Sequence, residues 1–225
     1  MKTIQFILFM LAANVFNAQT AQQLMDQVIA KYNKVNDYSA SILVKADVPM
    51  IKALPVRASI YFKQKDKFRI VSKSIAILPK KGFTDVNVFL ADPTQYMVVD
   101  AGSKSIAGVE ARLLTVISNE SNNDIILAKL WVHPERAVVL ESEVTTRSSG
   151  TVKIKYTYGE QIAYGLPSSI TFTVDVKEFK MPKSMTSNIH RSGANKPDKR
   201  KSGTISVSIS DYKVNQGVSD SLFKN

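Results

Sequence analysis

A chain of 225 residues, 44% hydrophobic and 22% charged, has the material for a real core within one mainly β domain. It contains no cysteine, which excludes disulfide frameworks, thiolate metal sites and cysteine nucleophiles. Its two histidines exclude a histidine-rich metal cluster, and 30 Lys plus Arg against 19 Asp plus Glu leave a net charge of +11.

Residues 1–18 read as a cleavable secretory signal. Lys2 supplies the positive start, Phe6–Ala13 is an unbroken apolar run, and Ala18 is a small residue before the cut. The run is too short to span roughly 30 Å of hydrocarbon. The expected mature chain is a single exported domain, residues 19–225.

The first element after the cut is a helix. Thr20 followed by Gln23 makes a capping box, and Leu24, Val28, Tyr32 and Val35 recur at helical spacing, with Met25 and Ile29 widening the stripe. The pattern predicts a helix over Ala21–Asn36. The apolar period then drops from 3.6 to 2, the signature of half-buried strands. Tyr38, Ala40, Ile42, Val44, Ala46 and Val48 share one face, and Val56, Ala58, Ile60 and Phe62 another. Phe68 and Ile70 continue the pattern. Further along come Val138, Leu140, Ser142 and Val144; then Val152, Ile154, Tyr156 and Tyr158; then Ile170, Phe172, Val174 and Val176; and finally Ile205, Val207 and Ile209.

Val86–Leu90, Gln95–Val99 and Ile125–Val132 are more continuously apolar, which predicts strands that are central or covered on both faces. Val109, Leu113 and Ile117 also fit a helical face, but Leu114–Ile117 favours a strand that turns at 119–124. Turns are expected at Asp92-Pro93, Ala101-Gly102-Ser103, His133-Pro134, Ser148–Gly150 and Gly165–Pro167. About ten antiparallel strands with one long helix must close, split into a sandwich, or curl around the helix. Curling leaves an apolar concavity, the usual place for a greasy ligand. Periodicity alone does not choose among these.

No phosphate loop, nucleophile elbow or paired-histidine motif is present, so neither catalysis nor a cofactor is expected. His133-Pro134-Glu135 reads as a surface turn. Glu141 and Glu143 lie on a wet strand face, where cross-strand pairing with Lys153 and Lys155 accounts for them. Between Lys177 and Lys201 stand eight Lys or Arg against Glu178 and Asp198, about half of the net charge. Within this stretch, residues 182–202 read as a long basic hairpin excursion carrying Lys183, Arg191, Lys196, Lys199, Arg200 and Lys201. It is a solvated loop or a handle for an anionic membrane or an acidic partner. Nucleic acid does not fit: the chain is exported, and no aromatic residue stands between Lys183 and Lys201.

The passages Leu24–Tyr32 into Tyr38–Ile42, and Ile60–Ile70 with its Lys67-Phe68-Arg69 element, resemble LolA-like outer-membrane lipoprotein-sorting proteins. So do Leu130-Trp131-Val132 before a turn, Leu166-Pro167 before a strand, and the ending Gly217–Phe223. The resemblance implies a strongly curved, incompletely closed antiparallel sheet with helical cover on its concave side. It also implies a periplasmic, monomeric carrier of lipoprotein acyl chains or lipids that works with the sorting machinery. Related proteins on that fold sense envelope stress, so a partner-binding adaptor using the basic arm is the alternative. The carriers latch the lid helix with an arginine where this chain has Gln64, which predicts a differently held lid. The candidate cavity residues are Val44, Ile60, Phe62, Phe68, Ile70, Leu140, Ile154 and Phe172, covered by Leu24, Val28 and Tyr32 of the helix.

Overall fold

The computed structural model describes residues 19–49, 51–52, 54–64, 67–72, 92–120, 124–147, 150–175 and 202–224. The expected signal segment, the strand at Val86–Leu90 and the basic excursion lie outside these residues. Helix α1 (Ala21–Asn33) opens the described chain. It starts where the capping box predicts: the Thr20 side chain accepts from the Gln23 N–H at 3.1 Å, and Gln23 answers at the Thr20 N–H at 2.9 Å. It ends three residues earlier than its apolar stripe suggests. Past that end the carbonyls are bound by side chains from elsewhere: Gln64 Nε2 donates to Asn33 and Val35, and Asn215 Nδ2 donates to Lys34.

The strands are β1 (Asp37–Val48), β2 (Ile51–Lys52), β3 (Val56–Lys63), β4 (Lys67–Ser72), β5 (Tyr96–Ile106) and β6 (Val109–Ser118). They continue with β7 (Ile125–His133), β8 (Val138–Thr146), β9 (Gly150–Tyr158), β10 (Pro167–Asp175) and β11 (Ser202–Val214). All belong to one antiparallel sheet, ordered β4-β3-β1-β11-β10-β9-β8-β7-β6-β5, with β2 beside β1. Strands β5 to β11 run as a meander. The β1–β11 pairing joins the two ends of the chain, with Ile42 opposite Ile209 and Val44 opposite Val207. The pairing is tight at Gly203, where a β-carbon would come within 2.7 Å of the Val48 Cα. Among the described residues, strands β4 and β5 end the sheet and do not pair with each other.

Two expectations are corrected. Tyr96–Val99 does not lie in a central strand: β5 ends the described sheet, and Met97 and Val99 are 53% and 45% exposed. An apolar run in an edge strand reads the same as one in a buried strand until the pairing is known. Ala101-Gly102-Ser103 is not a turn but an irregularity inside β5, between Asp100 and Ser103. The reversal into β6 falls at Ala107-Gly108, both at positive φ. Val109–Ser118 is a strand, as Leu114–Ile117 indicates. The wet-face ladder is also as expected, with Glu143–Lys153 at 3.1 Å and Glu141–Lys155 at 3.4 Å. Lys104 joins it, bonding Glu141 and lying 4.0 Å from the Trp131 ring centre.

Candidate functional site: the inner face and its helix

Two apolar clusters line the inner face. The first combines Leu24, Met25 and Val28 of α1 with Tyr96, Leu114, Val116, Leu130, Val132, Val139 and Val144 of β5 to β8. The second, among the described residues, is built from strands: Ala40, Ile42, Val44 and Val48 of β1, Ala58 and Ile60 of β3, Ile154 of β9, Ile170 and Phe172 of β10, and Ile205, Val207 and Ile209 of β11. Phe68 and Ile70 of β4 pack against it half-buried. Six of the eight candidate cavity residues therefore meet in this second cluster.

The other two do not. Phe62 is half-buried beside it, its ring stacked on Tyr38 with centroids 5.3 Å apart. Leu140 is displaced by an irregularity in the β7–β8 pairing, where Trp131 faces Glu141 but Val132 faces Val139. The extra residue moves Val139 into the core and leaves Leu140 in neither cluster, a shift that strict alternation hides. The helix also lands elsewhere than expected. Leu24 and Val28 cover the first cluster, with Tyr32 against it, rather than the eight candidates. Alternation marks an inner face on every strand but does not say which strands lie beneath the helix.

Both ends of α1 are tied by side chains donating to main-chain carbonyls. At the C-terminal end Gln64 Nε2 reaches Val35 at 2.6 Å, and Asn215 reaches Lys34 at 2.8 Å while accepting from the Asn36 N–H at 2.7 Å. Lys31 Nζ donates to the Ile162 carbonyl at 3.2 Å. At the N-terminal end Arg112 donates to the Gln19 carbonyl at 2.5 Å and pairs with Asp100. The hydrogen bond from Arg112 holds the Asp100 carboxyl below its usual value. Gln64 thus serves as a neutral tie at the C-terminal end of α1. Arg112 and Asn215 were missed. The signal for Arg112 was present: a cation at an inward position in register with Leu114 and Val116.

A third set of residues joins the clusters. Tyr156 packs against both, Tyr32 against the first, and Tyr38 and Tyr212 against the second. Tyr38 and Tyr212 meet edge to face at 5.6 Å. Burial raises the phenols of Tyr32, Tyr38, Tyr156, Tyr158 and Tyr212 above the ordinary value. Among the described residues no group of three His, Asp or Glu side chains could hold a metal, and no helix is long and apolar enough to cross a membrane.

No protein-family model and no curated protein sequence matches this chain. Solved structures do match it by shape. A DUF1329 family protein from Desulfovibrio piger superposes with a TM-score of 0.58 at 13% identity, over 91% of this chain and 97% of that one. A domain from Vibrio parahaemolyticus, described as an outer membrane lipoprotein-sorting protein domain, gives 0.59 at 10% identity over 92% and 97%. The chain shares its fold with both of these structures. A LolA superfamily protein from Nitrosomonas europaea extends the likeness, at a TM-score of 0.52 and 12% identity over 92% and 98%. At these identities the likeness is one of fold, and the chemistry rests on this chain's own residues.

Proposed function

We propose that this protein is a non-catalytic carrier of acyl chains, taking lipoproteins or lipids through the periplasm after export by its N-terminal signal. The observation that carries the reading is the strand-only cluster on the inner face of an open sheet, flanked by half-buried Phe62, Phe68 and Ile70 at the β3–β4 end. The mechanism is hydrophobic transfer, in which each CH2 withdrawn from water contributes about 0.8 kcal/mol. A protein working this way needs no reactive group, only apolar area and a cover that can yield. The lipoprotein-sorting likeness supports the same reading. The basic arm would hold the loaded carrier near anionic headgroups.

The test is lipid extraction and native mass spectrometry of the mature protein purified from its own envelope. A co-purifying acylated molecule, or stoichiometric uptake of a fluorescent fatty acid, is the expected result. Phe62→Asp places a charge beside the cluster and should abolish that uptake while the circular dichroism spectrum stays β-rich. Undiminished uptake in folded Phe62→Asp protein would remove the inner face from the mechanism.

A further inference from the structure

The tail that follows β11 lies across the outer face of β3 and β4, opposite the apolar clusters. Alternation puts Lys63, Lys67 and Arg69 on that face, because Phe62, Phe68 and Ile70 take the inner one. Lys63 and Lys67 stand opposite each other in the β3–β4 pairing. The tail ends in a single helical turn, Asp220–Phe223. Lys63 Nζ donates to one Asp220 carboxylate oxygen at 2.9 Å, and Lys67 Nζ donates to the other at 2.7 Å. Arg69 Nη1 donates to the Leu222 carbonyl and, at 3.0 Å, to the Lys224 carbonyl. Leu222 and Phe223 are half-buried. The side chains of Lys63, Lys67 and Asp220 are 32%, 45% and 55% exposed.

Three cations here share one ion-paired carboxylate. Asp37, opposite Lys63 in register, accepts from the Gly217 N–H at 2.9 Å, and residues 65 and 66 add one Lys and one Asp, which cancel. Arg69 carries the group best matched to an anionic fork, yet it bonds neutral carbonyls. The tail is held by exposed pairs that water weakens, so an anion with more acceptor oxygens can displace it. We propose that Lys63, Lys67 and Arg69 form a binding site for the phosphate of an anionic phospholipid at a membrane surface, with Asp220 seated in it as an internal competitor. Charge complementarity selects the partner: the chain carries +11, and an anionic bilayer presents many phosphates together. Displacing the tail also frees Leu222 and Phe223, side chains that gain at a bilayer interface and lose in water. The site lies on the other face of the sheet from the strand-built cluster, so it holds whether or not that cluster carries acyl chains.

The test is co-sedimentation of the purified mature protein with vesicles of phosphatidylglycerol in phosphatidylcholine, and of phosphatidylcholine alone, at fixed ionic strength. The native protein should bind the first and not the second. Asp220→Asn should bind the first about threefold more tightly, because it removes a competitor held only by exposed pairs. Glu120→Gln makes the same change in net charge at an exposed residue after β6, towards the other end of the sheet, and should bind as the native protein does. Lys63→Gln/Lys67→Gln should bind about thirtyfold more weakly. Lys153→Gln/Lys155→Gln, four strands from β3, should lose less than about twofold, because roughly 19 Å exceeds the screening length. No gain in Asp220→Asn, an equal gain in Glu120→Gln, or an equal loss from the two lysine pairs overturns the proposal and leaves only diffuse charge. Equal binding to the two kinds of vesicle overturns it as well. Release of the native protein by sodium phosphate, beyond that by sodium chloride of equal ionic strength, overturns the lipid assignment in favour of free phosphate.

Discussion

The two apolar clusters share one sheet face but are built differently. The first is completed by a helix: Leu24 and Met25 are fully buried, and their partners Leu114, Val116 and Val132 are equally so. The second draws on no helix residue among the described residues, and its margin at β4 stays half-buried. The members of both clusters are buried, so the difference lies in the described elements that surround them and in the half-buried margin at β4. On the function proposed above, the helix-covered half supplies stability and the strand-built half supplies binding, with the tyrosines between them.

That division can be broken experimentally. Leu114→Ala, in the helix-covered half, should cost about 2–5 kcal/mol in urea unfolding, since it opens a cavity under α1. Fatty-acid uptake by the folded variant should be unchanged. Loss of uptake would show that both halves bind. A second, broader effect comes from the tyrosines between the halves. Their phenols are raised above 10 in the folded protein, so the folded state keeps protons that the unfolded chain releases. Stability should hold below about pH 10 and fall steadily as pH rises above it, as followed by thermal unfolding. A flat profile from pH 9 to 11 would place these phenols in water.

Smaller effects concern how the helix is held. Gln64→Ala removes the donor to the Asn33 and Val35 carbonyls and should cost about 1 kcal/mol. Amide exchange should accelerate at the C-terminal turn of α1 and not at Thr20–Met25. Arg112→Ala should do the reverse. Acceleration along the whole helix in either variant would mean that the ties act jointly. The smallest effect is expected at the exposed C-terminal segment, where Asp220 pairs with Lys63 and Lys67 at 2.9 and 2.7 Å. The hydrogen bonds from Lys67 and Lys63 lower its carboxyl to about 2. Asp220→Asn should nevertheless leave the unfolding midpoint unmoved at neutral pH, because such pairs are screened by water.

The sequence by itself determined the local grammar of this protein. Thr20 and Gln23 set the start of α1 because a capping box needs only residues three apart. Alternation marked Val44, Ile60, Ile154 and Phe172 as inward because side chains on a strand change face at every residue. Glu141 and Glu143 could be matched to Lys153 and Lys155 because a hairpin places them opposite one another. Long-range pairing was decided only by the tertiary structure. The joining of β1 to β11 created the strand-only cluster, and the exposed place of Met97 followed from β5 ending the described sheet. The β7–β8 irregularity exchanged Leu140 for Val139, because one extra residue reverses a face without altering composition. Gln64, Asn215 and Arg112 became ties on the helix, and five scattered tyrosines became one group. Those roles depend on distances between residues far apart in the chain, which no local pattern encodes.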